Sequence, residues 1–237
     1  MSEVIRLGKE VDDWVVPEPP TAPVLLGTYT RLERLSADAH AAEIHRSNSV
    51  DDSIWDFLPY GPFTSAAGYH RWIRDVTASD DQVFYAIKNL ETGHFEGVAS
   101  YLRINPNAGS IEVGNINYSK PLQRSRAATE AMFLMMHWAF EAGYRRYEWK
   151  CNALNMGSRR AAERFGFSYE GIFRQAAVVK GRNRDTAWYA SIDSEWPALK
   201  LAFTAWLSPD NFDQTENQKE RLSDLTRLVR VVDDPAL

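Results

Sequence analysis

Apolar positions change period several times along the chain, and each change marks an element. Residues 83–88 and 96–104 are rich in β-branched and aromatic residues and flank the turn-forming cluster Asn89-Leu90-Glu91-Thr92-Gly93. This predicts a hairpin. Asn105-Pro106-Asn107-Ala108-Gly109 makes the next turn, and 110–118 the next strand. Over 129–141 the pattern becomes helical. Met132, Phe133, Leu134, Met135, Met136, Trp138 and Phe140 make this helix apolar nearly all round, so it is expected to be buried on most sides, with Gly143 able to end it. Residues 147–151 read as a central strand, and 157–165 as a short helix capped by Asn155 and stopped by Gly166. Strands over 169–179 and 185–192 follow, joined by Lys180-Gly181-Arg182-Asn183-Arg184, and a helix runs from Pro197 to about 207.

Before the hairpin the pattern is looser. Pro17, Pro19, Pro20 and Pro23 forbid a regular helix or central strand. Residues 1–27 are therefore read as an extended arm. A short strand over 29–35 and a helix from Ser36-Ala37-Asp38 to about His45 come next. A second helix is expected over 65–76, with Tyr69, Trp72, Ile73 and Val76 on one face. Between these helices lies an aromatic, turn-rich stretch, 53–63. Residues 208–237 are charged and amphipathic and read as a helical tail, leaving 28–207 as the main domain. Helices, strands and helices interleave with short connections. The fold class predicted is α+β, one sheet flanked by helices.

Composition narrows the classes. With 44% hydrophobic and 12% aromatic residues, the 237-residue chain can bury a sizeable core. A net charge of -5 argues against general nucleic-acid binding. Cys151 is the single cysteine, so no intramolecular disulfide or zinc cluster is expected, in keeping with a reducing cytoplasm. The histidines (His40, His45, His70, His94, His137) show no metal-ligand spacing, and no metal is predicted. No signal peptide or membrane span is read. The longest apolar run, 131–140, is interrupted by His137 and too short to cross a bilayer.

Two segments carry chemistry. Gln123-Arg124-Ser125-Arg126-Ala127-Ala128-Thr129-Glu130 joins a strand to the apolar helix. A helix N-terminus offers unpaired N–H groups and a partial positive charge, which suits a phosphate-bearing ligand. Further on comes Asn155-Met156-Gly157-Ser158-Arg159-Arg160, leading to Phe165-Gly166-Phe167 and Glu170-Gly171. Taken in order, the two resemble the acyl-coenzyme A binding motifs of the GNAT N-acetyltransferases, in the RimJ/RimL-like branch. The likeness covers roughly 28–207 and is strongest over 110–192. One departure stands out: Arg126 occupies the position of the loop's middle glycine, and its side chain is expected to turn outward, where it can add charge toward the phosphates.

The resemblance implies a mostly antiparallel sheet whose central strands, 110–118 and 147–151, splay apart to admit the pantetheine arm. It implies acetyl-CoA as cosubstrate. Gln123, Arg124, Ser125, Arg126, Ala127, Ala128 and Thr129 would hold the pyrophosphate, and Ile116, Tyr118, Asn152, Asn155 and Ser158 the arm and thiol. Ser158 matches a position near the leaving sulfur and Glu112 a position for a carboxylate base; Glu170, Asp185, Tyr118 and Tyr189 are rivals for proton transfer. Trp55, Phe57, Tyr60 and Phe63, with Asp51, Asp52 and Asp56 among them, are expected to wall an acceptor cleft for a cationic amine. That amine would be a protein N-terminus or a small molecule, and the enzyme a monomer or homodimer. A catalytically silent acyl-CoA-binding module is the rival function. Cys151 is expected to be an inert buried thiol.

Overall fold

The protein is described by a computed structural model over residues 8–237. Eight strands form one sheet: β1 (Val24–Leu26), β2 (Thr30–Arg34), β3 (Val83–Asn89), β4 (Phe95–Asn105), β5 (Ser110–Tyr118), β6 (Arg146–Asn152), β7 (Ser168–Val179) and β8 (Arg182–Ile192). Their spatial order is β1-β2-β3-β4-β5-β6-β8-β7. Every neighbouring pair is antiparallel except β5 and β6. A parallel pair needs a crossover, and α3 (Arg126–Glu141) supplies it. The mixed fold with a mostly antiparallel sheet flanked by helices is the one the sequence predicts.

Each face has its own core. On one, α3 and α5 (Trp196–Leu207) cover inward residues such as Tyr85, Tyr101, Ile111, Val113, Tyr147, Trp149 and Tyr189. On the other, α1 (Ala37–Asn48) and α2 (Ala66–Val76) cover Phe84, Ala86 and Val98, and leave the far half of the sheet open. β6 shows why: Tyr147, Trp149 and Cys151 are buried on the α3 side, while Arg146, Glu148, Lys150 and Asn152 alternate toward the open side. Two serines cap the covering helices: Ser36, as expected, accepts from the Ala39 N–H, and Ser65, read as the first helical residue, is instead the N-cap of α2 and accepts from the Gly68 N–H.

Some boundaries differ from the expectation. Val24–Leu26 pairs with β2 and extends the sheet, within the stretch read as an arm. Three apolar residues between Pro23 and Gly27 are too few to show a period. The first seven residues of that arm lie outside the described residues. The rest is tied down: Tyr85 and Tyr144 donate hydroxyl hydrogen bonds to the Ala22 and Glu18 carbonyls. α3 starts at Arg126 rather than 129, because Ser125 is its N-cap and accepts from the Ala128 N–H at 3.0 Å. β8 starts at Arg182, which shortens the expected connection to Lys180-Gly181.

The C-terminal segment is not a helical tail. Only Leu222–Thr226 is α-helical (α6), and Leu222 and Thr226 are fully buried against the main domain. The segment is spent on side-chain anchors, not on helix. Arg230 donates to the Glu163 carbonyl, and the Thr226 hydroxyl to that of Arg164.

One charged residue fixes how α3 meets the sheet edge. Glu130 is 5% exposed, and its carboxylate accepts three backbone N–H bonds, from Thr28 (2.8 Å), Tyr29 (2.6 Å) and Thr30 (2.8 Å). Gly27 is required beside it, since a Cβ there would lie 2.3 Å from the Glu130 carboxyl. Among the described residues no helix is long and apolar enough to cross a membrane.

Candidate active site

The central parallel pair comes apart. β5 and β6 are in register from Ser110↔Arg146 to Val113↔Trp149 and no further. Beyond that point β5 stays with β4 as far as Tyr118, and β6 stays with β8 as far as Asn152. A bulge on β5 accompanies the separation: the register against β4 shifts between Val98 and Ser100, and Asn115 takes φ 49°. The facing edges of Gly114–Tyr118 and Lys150–Asn152 therefore carry backbone groups with no strand partner. Such edges accept an extended chain bearing amides. Ile116 and Tyr118 lie along one edge, and Asn152 ends the other. Asn152 accepts the Leu154 N–H at 2.9 Å, shaping the turn that follows.

Where β5 ends, α3 begins. Gln123 turns its amide back to the Tyr118 carbonyl at 3.0 Å, and Arg124 adopts φ 64°, so the chain wraps tightly into the helix. Ser125 and the Leu122 and Ser119 carbonyls satisfy several loop donors. The N–H groups of Arg124, Arg126 and Ala127 have no hydrogen-bond partner among the described residues. Together with the helix dipole they make a site that could hold an anion. Ala127 and Ala128 are 3% and 5% exposed, small enough for a ligand to reach the backbone. Thr129 is buried and its hydroxyl donates to the Ser125 carbonyl.

The Arg126 side chain, expected to turn outward and add charge toward the phosphates, is engaged by protein groups. Its guanidinium lies between the Tyr29 and Phe212 rings, 4.8 and 4.7 Å from their centroids, and pairs with Glu216 at 2.6 Å. Its side chain is turned toward the C-terminal segment, which leaves the Arg126 backbone open as a glycine would.

Across the slot, α4 (Met156–Arg164) starts at Asn155. The Asn155 side-chain oxygen caps the helix by accepting the Ser158 N–H at 3.0 Å. The Ser158 hydroxyl oxygen accepts from the Trp149 indole N–H at 3.0 Å, so its own hydrogen is free to be donated. Cys151 lies within reach of Ser158, is 6% exposed, and burial pushes its thiol pKa up. This is an inert packing thiol. Tyr118 and Tyr189 are held in structural bonds, Tyr118 to the Ala128 carbonyl and Tyr189 to Asp234 and Arg159; burial raises both phenols far above the ordinary value.

On the open face an ion network runs across the root of the slot. Glu112, 3% exposed, accepts from Arg103 at 2.6 Å. Lys150 lies 2.8 Å from the other Glu112 oxygen, as an ion pair outside hydrogen-bond geometry, and 2.7 Å from Glu148. Arg146 links Glu148 at 2.6 Å to Glu170 at 2.7 and 2.5 Å. Burial raises the Glu112 carboxyl, and the Lys150 and Arg103 charges oppose that without cancelling it. Glu170 is thus an ion-pair partner of Arg146. Asp185 accepts the Gln175 N–H at 2.7 Å and shapes the bulge in β7.

The loop between α1 and α2 divides its aromatics. Trp55 is 3% exposed and packs edge-on against Tyr60, Phe63 and Tyr69, so its indole belongs to the second core. Gly61 makes that possible, because at φ 67° any Cβ would sit 2.5 Å from the Trp55 ring. Phe63 joins the same cluster, whereas Phe57 is exposed. Tyr60 reaches the slot itself, its hydroxyl 3.4 Å from the Asn115 carbonyl at the β5 bulge. From the opposite side Lys180, in the β7–β8 turn, donates to the Trp55 carbonyl at 2.9 Å. The two loops meet over the open face. Lys180 and Lys150 were not anticipated; a lysine in a turn and one on a strand carry no periodic signal.

Comparison with known proteins agrees with this geometry. A family model described as an acetyltransferase (GNAT) domain matches residues 30–168. A GCN5-related N-acetyltransferase from Brucella melitensis is 44% identical, with TM-score 0.89 over 92% of this chain and 100% of that one. A probable GNAT-family acetyltransferase from Chromobacterium violaceum is 37% identical, with TM-score 0.77 over 84% of this chain and 100% of its own. RimL, the ribosomal L7/L12 alpha-N-protein acetyltransferase, is 22% identical with TM-score 0.60 over 71% of this chain and 93% of its own, a likeness of fold. No curated protein sequence matches.

Proposed function

The chain belongs to the GNAT acetyltransferase family, and from that premise we propose that it transfers an acetyl group from acetyl-CoA directly to a primary amine. The observation that carries this reading is the conjunction of a parted β5–β6 slot with unpartnered N–H groups at Arg124, Arg126 and Ala127 at its mouth. An extended diamide with a pyrophosphate at one end matches that pair of features. Acetyl-CoA supplies the acetyl group and a thiol leaving group.

The residues then take distinct roles. The α3 N-terminus binds the phosphates, and the strand edges at Ile116, Tyr118 and Asn152 bind the arm. Glu112, raised by burial, accepts the proton the amine must lose before it attacks the carbonyl carbon. As the carbon–sulfur bond breaks, Ser158 donates its free hydroxyl hydrogen toward the sulfur. No covalent enzyme intermediate is needed. Tyr60 and Phe57 border the acceptor's approach. The two motifs taken in order, over 123–130 and 155–171, support the RimJ/RimL-like branch, and the one buried free thiol supports a cytoplasmic setting. The test is thiol release from acetyl-CoA with a panel of primary amines and matched alcohols, alongside calorimetry with coenzyme A. Release with amines only is expected. Binding without release would establish the silent acyl-CoA module instead.

A further inference from the structure

Three residues before the end of the chain, Asp234 is buried in the main domain, with a side chain 0% exposed. Its carboxylate accepts from Nε and one terminal nitrogen of the Arg159 guanidinium and from the Tyr189 hydroxyl. Its backbone N–H donates to Glu163 at 2.5 Å. Arg159 follows Ser158 directly, and its remaining arm donates to the Ala153 carbonyl at 2.9 Å. Asp234 thus holds Arg159, and Arg159 holds both the β6–α4 turn and the first turn of α4. Asn152, Asn155 and Ser158 all sit on that frame. Burial alone would raise the Asp234 carboxyl, but Arg159 and Tyr189 bring it below its usual range.

We propose that Asp234 is a positioning residue that fixes Ser158 and Asn155 at the thiol end of the site through Arg159. This rests on the acetyl-transfer reading above. The physical case is that a buried bidentate pair over-determines one geometry, whereas a one-ångström displacement of a reacting group costs up to about a hundredfold in rate. The anion cradle at α3 and the β5 edge are built from other residues, so the pyrophosphate contacts do not depend on this pair and coenzyme A affinity depends on it far less than turnover does.

The experiment compares wild type with Asp234→Asn, which keeps shape and loses charge, and Asp234→Glu, which restores charge. Asp234→Asn is expected to lower kcat about tenfold while the calorimetric Kd for coenzyme A stays within about threefold, and Asp234→Glu to recover part of kcat. Labelling of the single thiol, Cys151, by a disulfide reagent is expected to quicken in Asp234→Asn, independently of activity. If Asp234→Asn does not fold, Arg159→Met/Asp234→Leu removes both buried charges together and serves instead, with the same loss of kcat expected. A folded variant of either kind with kcat within twofold of wild type overturns the proposal. A wild type that binds coenzyme A and transfers nothing overturns the acetyl-transfer reading instead.

Discussion

Glu130 offers the sharpest test of how the fold is held around the site. Its carboxylate is the acceptor for three consecutive N–H groups, with one oxygen facing Thr28 and the other shared by Tyr29 and Thr30. Removing it strands those donors unequally. Thr30 is fully buried, so its N–H keeps the whole cost of an orphaned donor, roughly 1–3 kcal/mol. Thr28 and Tyr29 are not fully buried, water recovers part of their bonding, and each costs about 0.5–1.5 kcal/mol. Glu130→Ala is therefore expected to cost on the order of 4 kcal/mol. For a chain of this length that is a fall in Tm of about 8–16 °C. Glu130→Gln is the decisive variant. Its side chain has the same shape, but whichever way the amide is turned, an N–H replaces an acceptor. If the site were only filled space, Gln would be harmless; if it is an acceptor for three donors, Gln should destabilise by at least about 2 kcal/mol. Urea unfolding measures both, with the m-value checked for constancy. A Glu130→Gln midpoint corresponding to less than about 1 kcal/mol would refute the reasoning.

Four further substitutions carry expected outcomes. Ala127→Asp places a negative charge in the α3 cradle and should weaken coenzyme A binding by the folded fraction at least about tenfold by calorimetry, with a fall in Tm because Ala127 is buried. Ser158→Ala should lower kcat with little change in coenzyme A affinity, seen as a drop in kcat and kcat/KM together. Because burial raises the Glu112 carboxyl, the acidic limb of the kcat/KM profile should lie above the ordinary glutamate value of about 4.3, and it should vanish in Glu112→Gln. The same raised pKa means this group favours the fold below about pH 4 and loses that contribution as pH rises through the folded value, so Glu112→Gln should flatten the fall in stability from acid to neutral pH. Trp55→Ala removes a core indole and should cost about 3–5 kcal/mol by denaturation; an acceptor KM that rises alone, with stability intact, would return Trp55 to the acceptor wall.

What the sequence made legible, it did through period and capping. The apolar run of α3, the apolar-aromatic strand at β6 and the serine cap at Ser36 are local signals, and each element exists where they point, α3 reaching a turn further back than the run alone places it. The unpartnered N–H groups at the start of α3 fall within the segment the motif marks, because a motif of consecutive residues is itself local. α3 begins at Ser125 because that serine, three residues before Ala128, can cap it; reading the apolar stripe alone starts the helix a turn late. β1 escaped because three residues cannot display a period of two.

The residues that fix the site are of another kind. Glu130 reaches back a hundred positions to Thr30, Lys180 spans 125 to Trp55, and Asp234 spans 75 to Arg159. In the sequence Asp234 is one more charge in an acidic end, indistinguishable from Asp233 beside it, whose exposed side chain pairs with Arg230. Only burial separates the two, and burial here depends on where α4 and β8 have put Arg159 and Tyr189. Glu130 alone carried a usable hint: a carboxylate in a helix apolar on every side must either break that helix's burial or find donors inside it. Its three donors come from a turn held open by Gly27, so the demand is visible in one segment and its satisfaction in another. The charge a helix cannot solvate therefore points to a distant partner even when the sequence does not say which.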